Sequence, residues 1–384
     1  MKLFVILSRF PYPLEKGDKL RAYYQLQELA KNHEIHLHCL SDQTIKAEWR
    51  AKVEKHCASV SIHPLKKHLI YWNTAKQLFG TKPFQIGYFF QKNIYKNINK
   101  SLNEIKPDHI YCQLIRTAEY VKDIHDIPKT LDYMDALSKG MLRRGAIQNG
   151  LKGKLFKIEG RRLSEYENRI FDYFNQHTII SKQDRDLINH PGKASIAIIE
   201  NGISEDYFDY QKPVVKTHDL LFTGNMNYPP NIECSEFISN EISPLLPSSS
   251  IKISGASPHQ RILDLKKNSQ VEITGWVDDL RDSYASAKIF VAPLFIGTGL
   301  QNKLLEAMAM GLPVVTTPLA NNALKAEAGK EILIAENAEG FKKHISNLLE
   351  DEQLYNSISQ AGKEYVKSKF SWQQSVAKLE KLLA

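Results

Sequence analysis

The stretch that decides the fold is IFVAPLFIGTGLQNKLLEAMAMGLPVV, Ile289 to Val315. It opens on an apolar run of the kind a strand needs when it is buried on both faces. A loop carrying Gly297 and Gly299 follows, and a helical pattern starts near Leu300. At 100° per residue, Leu304, Leu305, Ala307 and Met308 share one face of that helix, while Asn302, Lys303 and Glu306 share the other. Val314 to Thr316 then reads as the next strand. Such alternation implies a parallel sheet with right-handed crossovers.

Glycines in this loop let backbone N–H groups approach a ligand, and the helix start that follows attracts an anion, so the window is a phosphate seat by construction. The pattern is nearly G-x-G-x-x-G, with Asn302 in the third place, but it follows the fourth strand of its unit and not the first. That position disfavours a dinucleotide cofactor. Lys303 and Glu306 place an ammonium and a carboxylate beside the seat. The alternative is a solvated helix face with an i,i+3 ion pair.

Working outward, Asp219 to Gly224, Ile251 to Ser254, Val271 to Thr274 and Ile332 to Ala335 also read as strands, separated by helical stretches of about ten residues. The N-terminal half repeats the scheme. Lys2 to Ser8 is a strand, a loop with Pro11, Pro13 and Gly17 follows, and Leu20, Tyr23, Tyr24, Leu26, Leu29 and Ala30 recur at helical spacing. Ile35, Leu37 and Cys39 alternate with polar neighbours. His109 to Cys112, Lys129 to Leu131, His177 to Ile180 and Ile196 to Ile199 complete the strand candidates. The expectation is an α/β protein of two Rossmann-like domains, 1–210 and 211–368. Residues 369–384 should form a closing helix that carries Trp372, Val376, Leu379 and Leu383 on one face and packs back on the first domain.

Composition agrees with this size: 384 residues, 42% hydrophobic and 24% charged, suit two domains of ~150 residues or more. Lys and Arg number 51 against 43 Asp and Glu, and the net +8 favours nucleic acid, phosphorylated metabolites or an anionic membrane. Cys39, Cys57, Cys112 and Cys234 are scattered with no C-x-x-C spacing, and no signal peptide is evident, so a reduced, cytoplasmic location is expected. Ala307 to Leu324, the longest uncharged stretch, is interrupted by Gly311, Pro313 and Pro318, which argues against a membrane span. His33, His36 and His38 lack a third ligand at a motif spacing. They read as surface strand residues, and no metal site is expected.

LLEAMAMGLPVVTT (Leu304 to Thr317), GWVDDLRDSYASAKIFVAPL (Gly275 to Leu294) and IIENGISEDYF (Ile198 to Phe208) resemble the retaining glycosyltransferases of family 4. The resemblance implies a GT-B fold, two Rossmann-like domains facing across a cleft. It implies transfer of a hexose-like sugar from a nucleotide-sugar donor to a glycan or lipid-linked acceptor, with retention, in cell-surface polysaccharide or glycoconjugate assembly. Neither metal nor cofactor is expected. A diverged GT-B protein that only binds nucleotide sugar or carbohydrate, or a nucleotide-sugar epimerase, is the alternative.

The resemblance also assigns residues. Glu306 matches the acid that binds the ribose hydroxyls, and Gly297, Thr298, Gly299, Leu300 and Asn302 form the donor loop. Thr298 stands where the family has a second acid on the donor sugar. In LLFTGNMNYPPN, Leu220 to Asn231, the usual Arg and Lys for the diphosphate are missing; Asn225 follows Gly224, and Lys303 is the substitute. Trp276 and Val277 are expected at the base. PLEKGDKLRAYY, Pro13 to Tyr24, matches the glycine-containing loop that faces the donor phosphates, with Gly17 for backbone freedom and Arg21 as phosphate ligand. On the acceptor side stand Asp132 and Asp135, each equally able to cap a helix, and Arg116, in the loop where many relatives carry a histidine. Lys139 to Arg162, eight basic residues against Glu159, reads as a surface for anionic lipid or as a solvated helix face, and nucleic acid ranks last among the partners.

Overall fold

The computed structural model describes residues 1–296 and 299–383, with Ile147 described by its backbone alone. The chain divides into two compact units: Met1–Glu200 with the residues from Ser375 onward, and Asn201–Gln374. Ile203 already belongs to the second unit, where its N–H donates to Phe370 O at 2.8 Å. The boundary therefore lies before residue 210.

In the first unit β1 (Lys2–Leu7), β2 (Glu34–Ser41), β3 (Ser59–Pro64), β4 (His109–Gln113), β5 (Lys129–Asp132), β6 (Gln176–Ile179) and β7 (Ala197–Ile198) form one parallel sheet in the order β3-β2-β1-β4-β5-β6-β7. Leu3 to Leu7 are all buried, and their alternation divides the core into two layers. Phe4 and Ile6 join Ile110 and Leu131 on one face; Leu3, Val5 and Leu7 join Leu37 and Leu26 on the other. The second face also receives Val376, Leu379 and Leu383 from the C-terminal helix Trp372–Leu383. β3 is the strand that sequence patterning does not reveal: it is a sheet edge, mostly half-buried, and lacks a continuous apolar run.

The second unit contains β8 (His218–Thr223), β9 (Ile251–Ser254), β10 (Val271–Gly275), β11 (Ala287–Ala292), β12 (Val314–Thr316) and β13 (Leu333–Ile334), parallel in the order β10-β9-β8-β11-β12-β13. This is the doubly wound arrangement, and the strand order reverses between β8 and β11. Both sheets sit between helices, as expected from the sequence.

His38 corrects one expectation. It is buried, stacked on Phe4 with centroids 4.3 Å apart, and shares a hydrogen bond of 3.0 Å with His63. Burial, with His63 next, pushes it down to about 3, so it is a neutral packing residue.

Candidate functional site

Open α/β sheets bind ligands beyond the carboxyl ends of their strands, where the strand order reverses. In the second unit Gly224, Gly255 and Gly275 end β8, β9 and β10. Gly224 N–H donates to Ser254 O at 3.1 Å, and Gly255 N–H to Gly275 O at 2.9 Å. A Cβ on Gly255 would lie 1.7 Å from Gly224 O, so no side chain fits there. The three strand ends thus form a low floor of backbone.

Lys303 reaches this floor from the helix Asn302–Ala309, which starts just after Gly299 in its left-handed conformation at φ +80. Its ammonium donates to Asn231 Oδ1 and lies 4.7 Å from the ring centroid of Phe222, within cation–π range. A Cβ on Gly224 would stand 3.0 Å from Lys303 Nζ, which shows how closely the ammonium approaches the loop after β8. Asn231 Nδ2 donates to Asn225 O at 2.8 Å. One buried amide therefore ties loop and ammonium together, and both contacts require the same amide orientation. Burial pushes Lys303 down to about 8, against the upward pull of Cys234 and Glu306. Sequence reasoning missed Asn231, whose only signal is its place just after Pro229-Pro230 in the helix Pro229–Phe237.

Glu306 lies one turn after Lys303. Its Oε2 accepts from Tyr284 Oη at 2.7 Å, and Tyr284 Oη is in turn 2.7 Å from Thr223 Oγ1. Burial raises the Glu306 carboxyl above its ordinary range, while Tyr284 and Lys303 oppose the rise. A carboxylate held from one side by a tyrosine can accept from a ligand's hydroxyl groups on the other. Asn302 Oδ1 accepts from Asn201 Nδ2 at 3.2 Å, and Leu300 packs on the core. Asn225 Oδ1 accepts from Asn227 N–H at 3.0 Å, turning the loop after β8. Trp276, 57% exposed, follows Gly275 and borders a hollow lined by Lys252, Val277, Asp279, Asp282 and Ser283. Gly297 and Thr298 lie outside the described residues.

The first unit corrects two assignments. Arg21, expected at the donor phosphates, is fully buried. Its Nε donates to Asp132 Oδ2 at 2.7 Å and its Nη1 to Ile199 O at 2.9 Å. Asp132, expected on the acceptor side, is consumed by the same network: Oδ2 also accepts from Tyr111 Oη at 3.0 Å, and Oδ1 from Thr178 Oγ1 at 2.9 Å. These residues brace the sheet, because the helix Gly17–Leu29 turns Arg21 inward under β5. Gly17 begins that helix with open space where a Cβ would stand.

At the reversal point of this sheet, between β1 and β4, the structure gathers Arg9, Asp18 and Arg116. Arg9 pairs with Asp18. Arg116 Nε donates to Gln85 Oε1 at 2.8 Å, and both guanidiniums stack on Phe89, at 5.9 and 5.4 Å from its centroid. Burial, then Arg9, pushes Arg116 down to about 10. Asp135 has an exposed face, yet desolvation by the surrounding protein and then Asp184 push its carboxyl up to about 6, against Arg116. Arg9 was not singled out from sequence. Its signal is a basic residue at the carboxyl end of the first strand.

With this geometry in view, residues 217–351 match the family model for glycosyl transferases group 1. The chain is 22% identical to an uncharacterized 44.6 kDa protein of the cps region of Klebsiella pneumoniae, over 90% of both chains. It is 30% identical to LpsE of Rhizobium meliloti, a lipopolysaccharide core biosynthesis glycosyltransferase, over 29% of this chain and 34% of that one. Among solved structures, Anabaena HepE in complex with UDP and glucose superposes with a TM-score of 0.72 at 13% identity, over 99% of each chain. WaaG, a glycosyltransferase involved in lipopolysaccharide biosynthesis, superposes with a TM-score of 0.65 at 14% identity over 100% of both chains. Residues 217–351 thus resemble the glycosyl transferases group 1, and the whole chain shares the fold of these solved structures, two parallel-sheet Rossmann-like units of the GT-B kind.

Proposed function

We propose that this protein moves a sugar from a nucleotide-sugar donor to a glycan or lipid-linked acceptor, with retention of anomeric configuration, in the assembly of a cell-surface polysaccharide or lipopolysaccharide. One observation carries the reading: the Lys303 ammonium is delivered to the loop Gly224 to Asn231, the segment in which the resemblance calls for cations and the sequence has none. Departure of a nucleoside diphosphate builds negative charge on its leaving oxygen, and a fixed ammonium beside a helix start stabilises that charge more in the transition state than in the ground state. Glu306, aligned by Tyr284, would hold the ribose hydroxyls. Below about pH 8 Lys303 is charged in the free protein and ready to receive the diphosphate.

The relatives support the biological setting: LpsE and WaaG are named for lipopolysaccharide biosynthesis, and the Klebsiella relative lies in a cps region. HepE is solved with UDP-glucose, which makes uridine diphosphate sugars the first donors to test. The experiment is a thermal-shift screen of UDP- and GDP-sugars on the purified chain, followed by transfer assays with the anomeric configuration of the product read by NMR. A donor at a hundred times its dissociation constant should stabilise by ~2.7 kcal/mol. Unchanged donor affinity in Lys303→Ala would remove the reading; an inverted product would remove retention alone.

A further inference from the structure

Between Glu54 and Glu104 the chain has eight lysines and no aspartate or glutamate. Within this acid-free stretch Tyr71, Trp72, Leu78 and Phe79 are exposed, Trp72 at 62% and Phe79 at 96%. A second exposed apolar set lies on the helix Gly150–Phe171. Leu151, Leu155 and Ile158 recur at i, i+4 and i+7 and so form one stripe. These seven are more than half of the thirteen large hydrophobic side chains exposed among the described residues. Such clustering is unusual for a surface that faces only water.

The two sets adjoin. Arg162 shares a helix face with Ile158, donates to Gln77 O and lies 5.1 Å from the Phe84 ring. Gln77 is the neighbour of Leu78 and Phe79. Glu159, the sole acid between Lys139 and Arg162, is turned inward, where it accepts from Phe84 N–H at 2.7 Å and Gln85 N–H at 3.0 Å. Lys152, Lys154, Lys157 and Arg161 are left exposed around the stripe. Lys76 caps Trp72, its Nζ 5.3 Å from the ring centroid.

We propose that this face of the first unit docks on an anionic phospholipid bilayer, with Trp72, Phe79 and the Leu151 stripe entering the headgroup region and the lysines meeting lipid phosphates. Charge complementarity selects the occupant. A protein partner's interface core is depleted of lysine, whereas an amphipathic surface of aromatic and leucine side chains ringed by lysine is what lipid headgroups over acyl chains accept. Nucleic acid would use the lysines but leave Leu78, Leu151 and Ile158 in water. No helix among the described residues is long and apolar enough to cross a membrane, so the attachment lies in the interface plane. This inference is independent of the donor site, which lies in the other unit.

The test is co-sedimentation of the full chain with vesicles of POPC containing one-third POPG, against POPC alone and against duplex DNA. Each lysine near such a surface is worth roughly fivefold in partitioning, so Lys152→Glu/Lys154→Glu/Lys157→Glu should lower it about a hundredfold or more. Trp72→Ala/Phe79→Ser should lower it about tenfold at unchanged charge. Wild-type partitioning should weaken as salt rises. If the charge variant folds poorly, the vesicle-induced blue shift of tryptophan emission and its loss in Trp72→Phe still decide. Equal partitioning into POPC and POPG vesicles, or wild-type partitioning by the aromatic variant, would overturn the proposal, as would DNA binding tighter than binding to POPG vesicles. Donor-induced thermal shifts measured on the same variants keep a failure of the donor reading separate from a failure of this one.

Discussion

Arg21 Nε donates to Asp132 Oδ2 at 2.7 Å, and neither side chain reaches solvent. The pair joins the helix Gly17–Leu29 to the end of β5, where Tyr111 and Thr178 also donate to Asp132 and the Ile199 carbonyl accepts from Arg21. Removing one member strands a buried charge. Arg21→Ala and Asp132→Ala should each cost about 3–5 kcal/mol in denaturant unfolding, while replacing both by apolar residues should cost less than the sum of the single changes. The folded fraction of Arg21→Ala should keep its donor affinity. A selective loss of donor binding at unchanged stability would restore Arg21 to the phosphate site.

Lys303 carries a pH signature. Burial depresses its ammonium to about 8, and the flanking groups are the Cys234 thiol, raised and hence neutral, and the Glu306 carboxylate. Because the folded value lies below the unfolded one, the native state binds fewer protons from about pH 8 up to the ordinary lysine range, and stability rises with pH across that window. Affinity for a nucleoside diphosphate should run the other way, falling as pH passes 8. Calorimetric titration of UDP from pH 7 to 9.5 should show this fall in the wild type and none in Lys303→Met.

Asn231 should act as a positioning residue for Lys303. Asn231→Ala removes the acceptor of the ammonium and the donor to Asn225 O, and donor affinity should fall roughly tenfold. Asn231→Asp places a carboxylate on the lysine and should move the alkaline fall in affinity to higher pH. A merely structural asparagine would leave that midpoint in place.

The Tyr284 hydroxyl holds one oxygen of Glu306. Glu306→Ala should lower donor affinity about tenfold or more through loss of a charged acceptor. In Tyr284→Phe the carboxylate loses the hydrogen bond that lowers its pKa, so the acid-side loss of donor affinity should shift to higher pH. An identical acid limb in wild type and Tyr284→Phe would argue that Glu306 does not meet the donor.

Gly255 tests the backbone floor. A methyl group there would meet Gly224 O at 1.7 Å, against backbone that cannot yield cheaply. Gly255→Ala should be strongly destabilised or insoluble, with expression and thermal midpoint as the readout. Gly17→Ala, which meets open space, should express and melt as wild type.

Much of this molecule was legible in its residues alone. The apolar runs of β1, β8 and β11 report strands covered on both faces, and their alternation with amphipathic helices dictates parallel pairing. Gly299, Lys303 and Glu306 occur within eight residues, so local spacing already joins them into one loop and helix start. The edge strand β3 escaped because its alternation rests on Val60 and Ile62 alone, too short a signal to stand out from the polar residues around it. His38 escaped because its partner His63 arrives from the neighbouring strand.

What the sequence by itself determined is therefore the layered α/β architecture and the local chemistry of the Gly299 to Glu306 segment, since both follow from hydrophobic period and turn residues acting over a few positions. Only the tertiary structure decided which charges are free to meet a ligand. Arg21 and Asp132, 111 residues apart, cancel each other inside the first unit, whereas Lys303 and Asn231, 72 residues apart, meet at the reversal point of the second sheet. Strand order sets such pairings, and the cost of burying an unpaired charge enforces them; neither leaves a trace in the local pattern of residues.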